Sequence, residues 1–220
     1  MKRIGIAHTD WRNLIRIALI CIVLLGTGAS CVPLLPMSTS LLARAYNGLG
    51  NIYYYKAGDF ERALIAYDAA ISLDSDFAEP YWGRGNARFE LGEMDDAIND
   101  CTTALKLEPN FSGAYYSRGL AYHSLGEYDL AVVDLSQALR LDPYSAWAYF
   151  QRGRVYYDTQ NYAQAISDLD VAIKLVPDFA WAYYERGLAY YDLGNKEQAA
   201  ADRRKYKELG GDCQIYDCPE

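Results

Sequence analysis

One stretch of the chain decides the fold: Ser112–Ser145 reads SGAYYSRGLAYHSLGEYDLAVVDLSQALRLDPYS. Similar segments of the same length precede and follow it without a gap, and weaker copies lie at both ends of the array. The five segments are 44–77, 78–111, 112–145, 146–179 and 180–213. Several copies at one fixed period are typical of a stacked repeat protein, in which each unit contacts its neighbours.

Each copy divides into two amphipathic halves. In the central copy, apolar residues recur three and four positions apart over about 113–125 and again over about 129–141. Gly126 lies in the break between the halves, and Pro143 prevents the second helix from continuing. The sequence therefore predicts an all-α chain of helical hairpins. Isolated helices shorter than ~12–15 residues barely form in water, so the copies are expected to fold only when stacked.

Small residues recur at the positions where two helices must touch. Gly within a helix costs about 1 kcal/mol relative to Ala, so its recurrence indicates a close approach of two backbones. A larger side chain at the Ala positions would overpack the contact, at a cost of roughly 1–3 kcal/mol. Position eight holds Gly85, Gly119, Gly153 and Gly187; position twenty holds Ala63, Ala97, Ala131, Ala165 and Ala199; position twenty-seven holds Ala70, Ala104, Ala138 and Ala172.

These positions resemble the tetratricopeptide repeat (TPR) pattern. The central copy carries its marker residues, namely Tyr115, Gly119, Tyr122, Gly126, Tyr128, Ala131, Ala138 and Pro143. The resemblance implies a right-handed α-solenoid of about five helix-turn-helix repeats over 44–211, followed by a tail at 212–220. The first copy departs from the pattern, since Asn47 and Asn51 replace the aromatic residue and the Gly.

Residues 1–30 differ in kind from the repeats and are predicted to be a signal peptide or membrane anchor, followed by a linker at 31–43. A basic head precedes an apolar run at 17–25 and a series of small residues. Three interpretations stay open: a lipoprotein-type box with a lipidated Cys31, cleavage after Ala29, or an uncleaved anchor over the uncharged residues 17–35. Each predicts an exported protein, membrane-tethered or extracytoplasmic.

The cysteines outside this segment divide into a pair and a single residue. Cys213 and Cys218 lie close together in the tail, and an exported protein favours a disulfide between them. Two free thiols are the alternative. Cys101 falls at a helix-packing position and is expected to be a buried, inert thiol.

Charged residues recur with the repeat. Arg occupies position seven and Asp position twenty-three in four of the five copies, which predicts a ladder of ion pairs along the solenoid. Exposed pairs contribute only ~0–1 kcal/mol, so the ladder is expected to set the stacking register more than the stability. An ordinary solvated face is the alternative. The ladder residues are Arg84, Asp100, Arg118, Asp134, Arg152, Asp168, Arg186 and Asp202.

The resemblance also implies a binding surface, because the family's first helices line a concave groove. Trp, Tyr and Arg dominate binding energy at interfaces, and an aromatic groove suits an extended peptide or a partner helix. The alternative is that these rings only cover helix stems. The family's basic clamp for a terminal carboxylate has no counterpart here. The predicted partner-binding groove consists of Trp82, Phe89, Tyr116, Trp147, Phe150, Arg154, Tyr157, Trp181, Tyr184 and Tyr191.

Composition argues against catalysis and against nucleic acid as a partner. The net charge is −8, and residues 1–30 hold four basic groups and one acidic group, which leaves 17 basic and 28 acidic residues in the remainder. His123 is the single histidine of that remainder, so no metal site and no Ser–His or Cys–His pair beyond it can be proposed. No glycine-rich phosphate loop is present, and no cofactor is predicted.

The predicted function is a non-catalytic scaffold that binds a protein or peptide partner outside the cytoplasmic membrane. Two alternatives belong to other classes. One is a structural spacer or assembly subunit of the cell envelope, and the other is a carbohydrate-binding or cell-wall-binding module.

Overall fold

The structure is a computed structural model that describes residues 38–211, and these residues form ten α-helices and no strand. The first helices of the repeats are α1 (Thr39–Ile52), α3 (Ala78–Glu90), α5 (Ser112–Ser124), α7 (Ala146–Asp158) and α9 (Ala180–Asp192). The second helices are α2 (Phe60–Leu73), α4 (Met94–Leu107), α6 (Tyr128–Leu141), α8 (Tyr162–Leu175) and α10 (Lys196–Glu208).

Helix contacts follow the order of the chain. Each first helix packs against the second helix of its own repeat, and from α3 onward it also packs against the second helix of the preceding repeat. An array in which each unit is covered by its neighbours is an α-solenoid. The all-α class and the solenoid architecture predicted from the sequence are therefore confirmed.

The small residues pack as the sequence predicts. A Cβ atom added to Gly119 would lie 3.0 Å from Leu135 Cγ, and one added to Gly153 would lie 3.0 Å from Leu169 Cγ. The Ala residues of positions twenty and twenty-seven are buried in every repeat that has them. Side chains no larger than these let the two helices of a hairpin approach closely, and a larger one would overpack the contact.

The ends of α1 differ from those of the other first helices. The helix begins at Thr39, so the last five residues of the predicted linker are helical, because the Ser38 hydroxyl accepts a hydrogen bond from the Leu41 amide at 3.3 Å. At its other end α1 continues into a π-helical turn over Tyr53–Ala57. The turn is confined to this repeat within residues 38–211.

Gln160 occupies a left-handed backbone conformation that favours glycine. Its φ is +60°, and the same turn position in the other repeats holds glycines with φ between +61° and +82°. This conformation costs a residue other than Gly about 1–2 kcal/mol of folding free energy. Part of the gain from a Gly substitution is lost, because Gly also gives the unfolded chain more conformational freedom. We expect Gln160→Gly to raise the free energy of unfolding by about 0.5–1 kcal/mol. Urea denaturation measures the change.

Thr159 supplies the matched control for this substitution. Its φ is −89°, and its hydroxyl donates to the carbonyl of Val155 at 3.1 Å. Thr159→Gly removes that bond and adds backbone freedom, so it is expected to destabilise the protein. Equal effects of the two substitutions would show that the left-handed conformation of Gln160 carries no cost.

The concave face as a candidate binding surface

The first helices lie on the inner side of the curve. First helices of successive repeats contact one another more extensively than successive second helices do. Helices that converge in this way line the concave side of a solenoid, where repeat proteins present extended surfaces. The concave face is therefore made by α1, α3, α5, α7 and α9.

Trp147 is the most exposed aromatic residue of the predicted groove. The residue is 56% exposed, although its ring lies tilted against Phe179 with 4.6 Å between centroids and perpendicular to Phe150 with 5.8 Å between centroids. Those contacts hold the indole in place while most of it stays accessible. A large, rigid and accessible indole is the kind of group that anchors an interface.

A cleft lies beside this indole, between the third and fourth repeats. Its volume is about 350 Å³, at the lower end of the range for ligand pockets. Gly113 stands in α5 at the position that Trp147 holds in α7, and a Cβ added there would lie 3.2 Å from the Phe111 ring and 3.3 Å from the Trp82 ring. The lining residues are Ser112, Gly113, Tyr116, Ala138, Asp142, Ser145, Trp147 and Ala148.

Other predicted groove residues are less accessible. Trp82 is half-buried, stacks near Phe111 with 5.2 Å between centroids, and donates its indole N–H to Ser117 Oγ at 2.9 Å. Tyr116, Phe89 and Tyr184 are also half-buried. Trp181 and Tyr191 are 37% and 43% exposed, so the exposed aromatic residues of the predicted groove lie in the last two repeats.

Phe150 does not belong to the accessible surface, which corrects its assignment to the groove. Its side chain is 5% exposed and packs in a core cluster with Leu169, Ala172 and Ala182. The Phe179 ring lies 4.9 Å from its centroid and covers it together with Trp147. The aromatic residue at position five is therefore a core residue in this repeat.

Carboxylates line the far end of the groove, at the carboxyl ends of α7 and α9. Asp158 and Asp192 end these helices and Glu185 lies in the middle of α9; we call these three residues the carboxylate edge. The Tyr157 hydroxyl donates to Asp192 Oδ2 at 2.7 Å, and His123 Nε2 lies 2.6 Å from Asp158 Oδ2. Each of these bonds joins one repeat to the next.

A guanidinium balances only part of this charge. Arg154 Nε lies 3.2 Å from Glu185 Oε1. Burial raises the pKa of Glu185, the charge of Arg154 opposes that rise and the charge of Asp158 adds to it. Burial, followed by the hydrogen bond to Asp192, raises the pKa of Tyr157 above its ordinary value. The edge is therefore a region of unbalanced negative charge.

The first repeat has a related contact. The Tyr54 hydroxyl donates to Glu90 Oε1 at 3.3 Å, and Glu90 is exposed. The donor, Tyr54, lies in the π-helical turn. Its position in the first repeat is one residue earlier than the position of Tyr157 in the fourth repeat. The carboxylate itself occupies the same position of α3 that Asp158 and Asp192 occupy in α7 and α9.

The structure brings all four pairs of the predicted ladder together, on the side of the first helices that faces the second helices. Arg118 Nε donates to Asp134 Oδ2 at 2.7 Å and Arg152 Nε to Asp168 Oδ2 at 2.7 Å. Arg84–Asp100 and Arg186–Asp202 have the same two-bond geometry. Each Arg pairs with the Asp of its own repeat.

The ladder also connects neighbouring repeats. The remaining guanidinium nitrogen reaches the second helix of the preceding repeat, at Asp68 from Arg84 and at Thr102 from Arg118. The Arg118 guanidinium lies over the rings of Tyr115 and Tyr122, at 5.7 and 5.9 Å. The four Asp residues are only 3–6% exposed, so the pairs are buried rather than solvated as exposed pairs would be.

Tyr67 replaces the ladder in the first repeat, and sequence reasoning missed it. The ring is 1% exposed and lies between two glycines, since a Cβ added to Gly50 or Gly83 would come within 2.5 or 2.6 Å of it. Its hydroxyl donates to Asn51 Oδ1 at 2.8 Å. The absence of the ladder Arg at Gly50 and of the ladder Asp at Ala66 was the available signal.

The remaining predicted residues divide between described and undescribed parts of the chain. Cys101 is buried, and burial raises the pKa of its thiol to about 12. Cys31, Cys213 and Cys218 lie outside residues 38–211. Within that range no group of three His, Cys, Asp or Glu side chains could hold a metal ion. None of the helices described is long and apolar enough to cross a membrane.

Comparison with known structures gives several similar folds. A crystal structure of MamA has 28% identity and a TM-score of 0.67, covering 74% of this chain and 94% of that one. YrrB, described as a TPR protein with an unusual peptide-binding site, has 27% identity and a TM-score of 0.63, covering 76% and 86%. MamA from Desulfovibrio magneticus RS-1, at 24% identity and a TM-score of 0.69 over 76% and 94%, shares the fold.

Comparison by sequence identifies the repeats. No curated protein matches the chain. The model of the family "TPR repeat" matches residues 54–92, 85–126, 119–160 and 153–194, and that of "Tetratricopeptide repeat" matches 182–209. These matches span most of the helical array whose packing is described above. The chain therefore belongs to the tetratricopeptide repeat family.

Proposed function

We propose that the protein is a non-catalytic scaffold that binds a peptide or an extended segment of a protein partner in the groove of α5, α7 and α9. The observation that carries this proposal is Trp147, an indole held by two phenylalanine rings yet 56% exposed beside an open cleft. A large apolar side chain that is fixed in position and exposed to solvent is typical of a protein–protein interface.

The fold supports the same function. Membership in a family of interaction repeats favours binding over catalysis, and YrrB is described as having a peptide-binding site. Across the width of the groove, Tyr116, Trp147 and the cleft lie towards the amino ends of the first helices, and Asp158 and Asp192 lie at their carboxyl ends. A ligand that crosses α5, α7 and α9 would therefore lie between an apolar border and an acidic border.

Selection of peptides tests the proposal. Random dodecapeptides displayed on phage are panned on the immobilised full chain, and the enriched peptides are titrated against wild type and Trp147→Ala. We expect the substitution to weaken binding by about 30-fold or more, because a hot-spot residue contributes roughly 2 kcal/mol.

Val133→Ala is the control for this experiment. Val133 is 64% exposed on α6, a second helix, so its loss should leave peptide affinity unchanged. An absence of enriched peptides, or equal affinity for wild type and Trp147→Ala, would contradict the proposal. Glycan binding that is lost in Trp147→Ala would favour the carbohydrate alternative. Self-assembly that is unchanged in Trp147→Ala would favour the structural alternative.

We further propose that the scaffold acts outside the cytoplasmic membrane, tethered through lipidated Cys31 or through the segment before it. Support comes from the basic head, the apolar run and the small residues of 1–30. Mass spectrometry of the N-terminus of the protein from its own host is the test. A lipidated Cys31 or a cleaved or membrane-retained leader supports export, whereas an unprocessed chain in the soluble fraction contradicts it.

A further inference from the structure

The groove carries charge that its own residues leave unbalanced. At the carboxylate edge, Tyr157 offers Asp192 a neutral hydroxyl, and Arg154 is engaged with Glu185. Lys196, in the first turn of α10, forms no ion pair within residues 38–211. The three carboxylates therefore contact one guanidinium, the His123 imidazole and one phenol hydroxyl, and Asp158 and Asp192 remain exposed to a partner.

Accessible aromatic surface accompanies these carboxylates. Tyr191 is 43% exposed and immediately precedes Asp192, while Trp147 stands at the other end of α7. A ring face attracts a cation within about 6 Å, and a carboxylate forms charge-assisted bonds with guanidinium or ammonium groups. Aromatic rings and carboxylates together form a receptor for basic side chains. Nucleic acid and anionic membranes would be repelled by the same surface.

The repeat spacing defines the spacing of those basic side chains. Asp158 and Asp192 occupy the same position in successive first helices, and Glu90 occupies it two repeats before Asp158. Packed helices lie about 8–10 Å apart, and an extended chain advances about 3.3–3.6 Å per residue. About three residues of an extended peptide therefore separate one carboxylate from the next.

We propose that the groove receives an extended basic segment of a partner protein, in which Lys or Arg recurs at every third residue and pairs with Asp158 and Asp192. The proposal rests on the function proposed above and specifies the chemistry of the ligand. The basic groups lie over the carboxylate edge, and the residues between them lie beside the exposed Tyr191.

Two fluorescein-labelled peptides of opposite charge test the chemistry: (Arg-Gly-Ser)5 and (Glu-Gly-Ser)5, titrated against the full chain by fluorescence anisotropy. We expect the Arg peptide to bind, more weakly as salt is added, and the Glu peptide not to bind. A peptide of the same composition with its five Arg residues adjacent should bind less well. Equal affinity of the spaced and clustered peptides, or of the Arg and Glu peptides, would overturn the proposal.

Variants locate the contact. Asp158→Asn with Asp192→Asn is expected to weaken binding of the Arg peptide about tenfold. Asp95→Asn with Asp129→Asn changes the net charge equally, on exposed residues of α4 and α6, and should have little effect. Equal losses in both variants would assign the attraction to total charge and not to the groove.

Charge reversal gives a readout that loss of folding cannot imitate. Asp158→Lys with Asp192→Lys should lose the Arg peptide and gain the Glu peptide, and retention of the Arg peptide would overturn the proposal. The two proposals fail separately. If phage-selected peptides depend on Trp147 while the Asp variants bind them normally, the groove is a binding site but its ligand is not basic.

Discussion

Asp100→Ala is expected to lower the free energy of unfolding by about 3–5 kcal/mol, because it leaves two partly buried guanidinium groups without their one buried carboxylate. Asp100 accepts two bonds from Arg84, at 2.9 and 2.6 Å, and one from Arg88 at 2.8 Å. Its side chain is almost fully buried. For a domain of this size the midpoint of thermal unfolding should fall by on the order of 10 °C, measured by circular dichroism.

Asp68 gives the matched control, since it binds the same arginine. Its Oδ1 lies 2.6 Å from Arg84 Nη1, but its side chain is 58% exposed. An exposed pair contributes at most about 1 kcal/mol, so Asp68→Ala should cost far less than Asp100→Ala. Similar losses for the two variants would show that burial of the ladder does not determine its contribution.

Tyr67→Ala is expected to cost about 3–5 kcal/mol as well, because a ring that is almost fully buried would leave a cavity between two backbones. The reciprocal change, Gly83→Ala, should cost about 1–3 kcal/mol by overpacking, since the new Cβ would lie 2.6 Å from the ring. Urea denaturation of each variant gives both values.

The double variant Tyr67→Ala, Gly83→Ala separates packing from other causes. Once the Tyr67 ring is removed, a Cβ at position 83 has space. Gly83→Ala should then lower the free energy of unfolding only slightly, or raise it. Its effect would then depend strongly on the residue at position 67. Additive losses would mean that Gly83 is needed for a reason other than the ring.

The ladder shows how far spacing alone can predict structure. The Arg and Asp of the ladder recur at a constant separation of sixteen residues, as in Arg118 and Asp134, and this constant separation predicts that they pair. Their burial depends on what covers them, and the rings of Tyr115 and Tyr122 lie against the guanidinium. The sequence pattern marked those tyrosines as repeat positions without indicating that they enclose a charge.

In the groove, position in the repeat alone does not predict which side chains are exposed. Trp147 and Phe150 both belong to positions that face the concave side in the family, yet one is exposed and the other buried. The difference comes from Phe179, in the turn before α9, whose ring covers Phe150 and supports Trp147. A contact between the turn that ends a repeat and the first helix of the same repeat cannot be inferred from periodicity within one helix.

The hydrogen bonds of the carboxylate edge have a recognisable spacing in the sequence. His123 and Asp158, like Tyr157 and Asp192, are separated by thirty-five residues, one more than the repeat. Such a spacing joins the end of one first helix to the end of the next. In the sequence these residues stand out only when adjacent copies are compared at an offset of one.

A partner is expected to bind in the groove of α5, α7 and α9. The most direct measurement uses the full chain labelled with ¹⁵N on its tryptophan indoles, titrated with a phage-selected peptide. We predict that the Trp147 indole resonance shifts, while that of Trp82, whose N–H is bonded to Ser117, stays in place. A Trp147 resonance that does not move at saturating peptide would contradict the account.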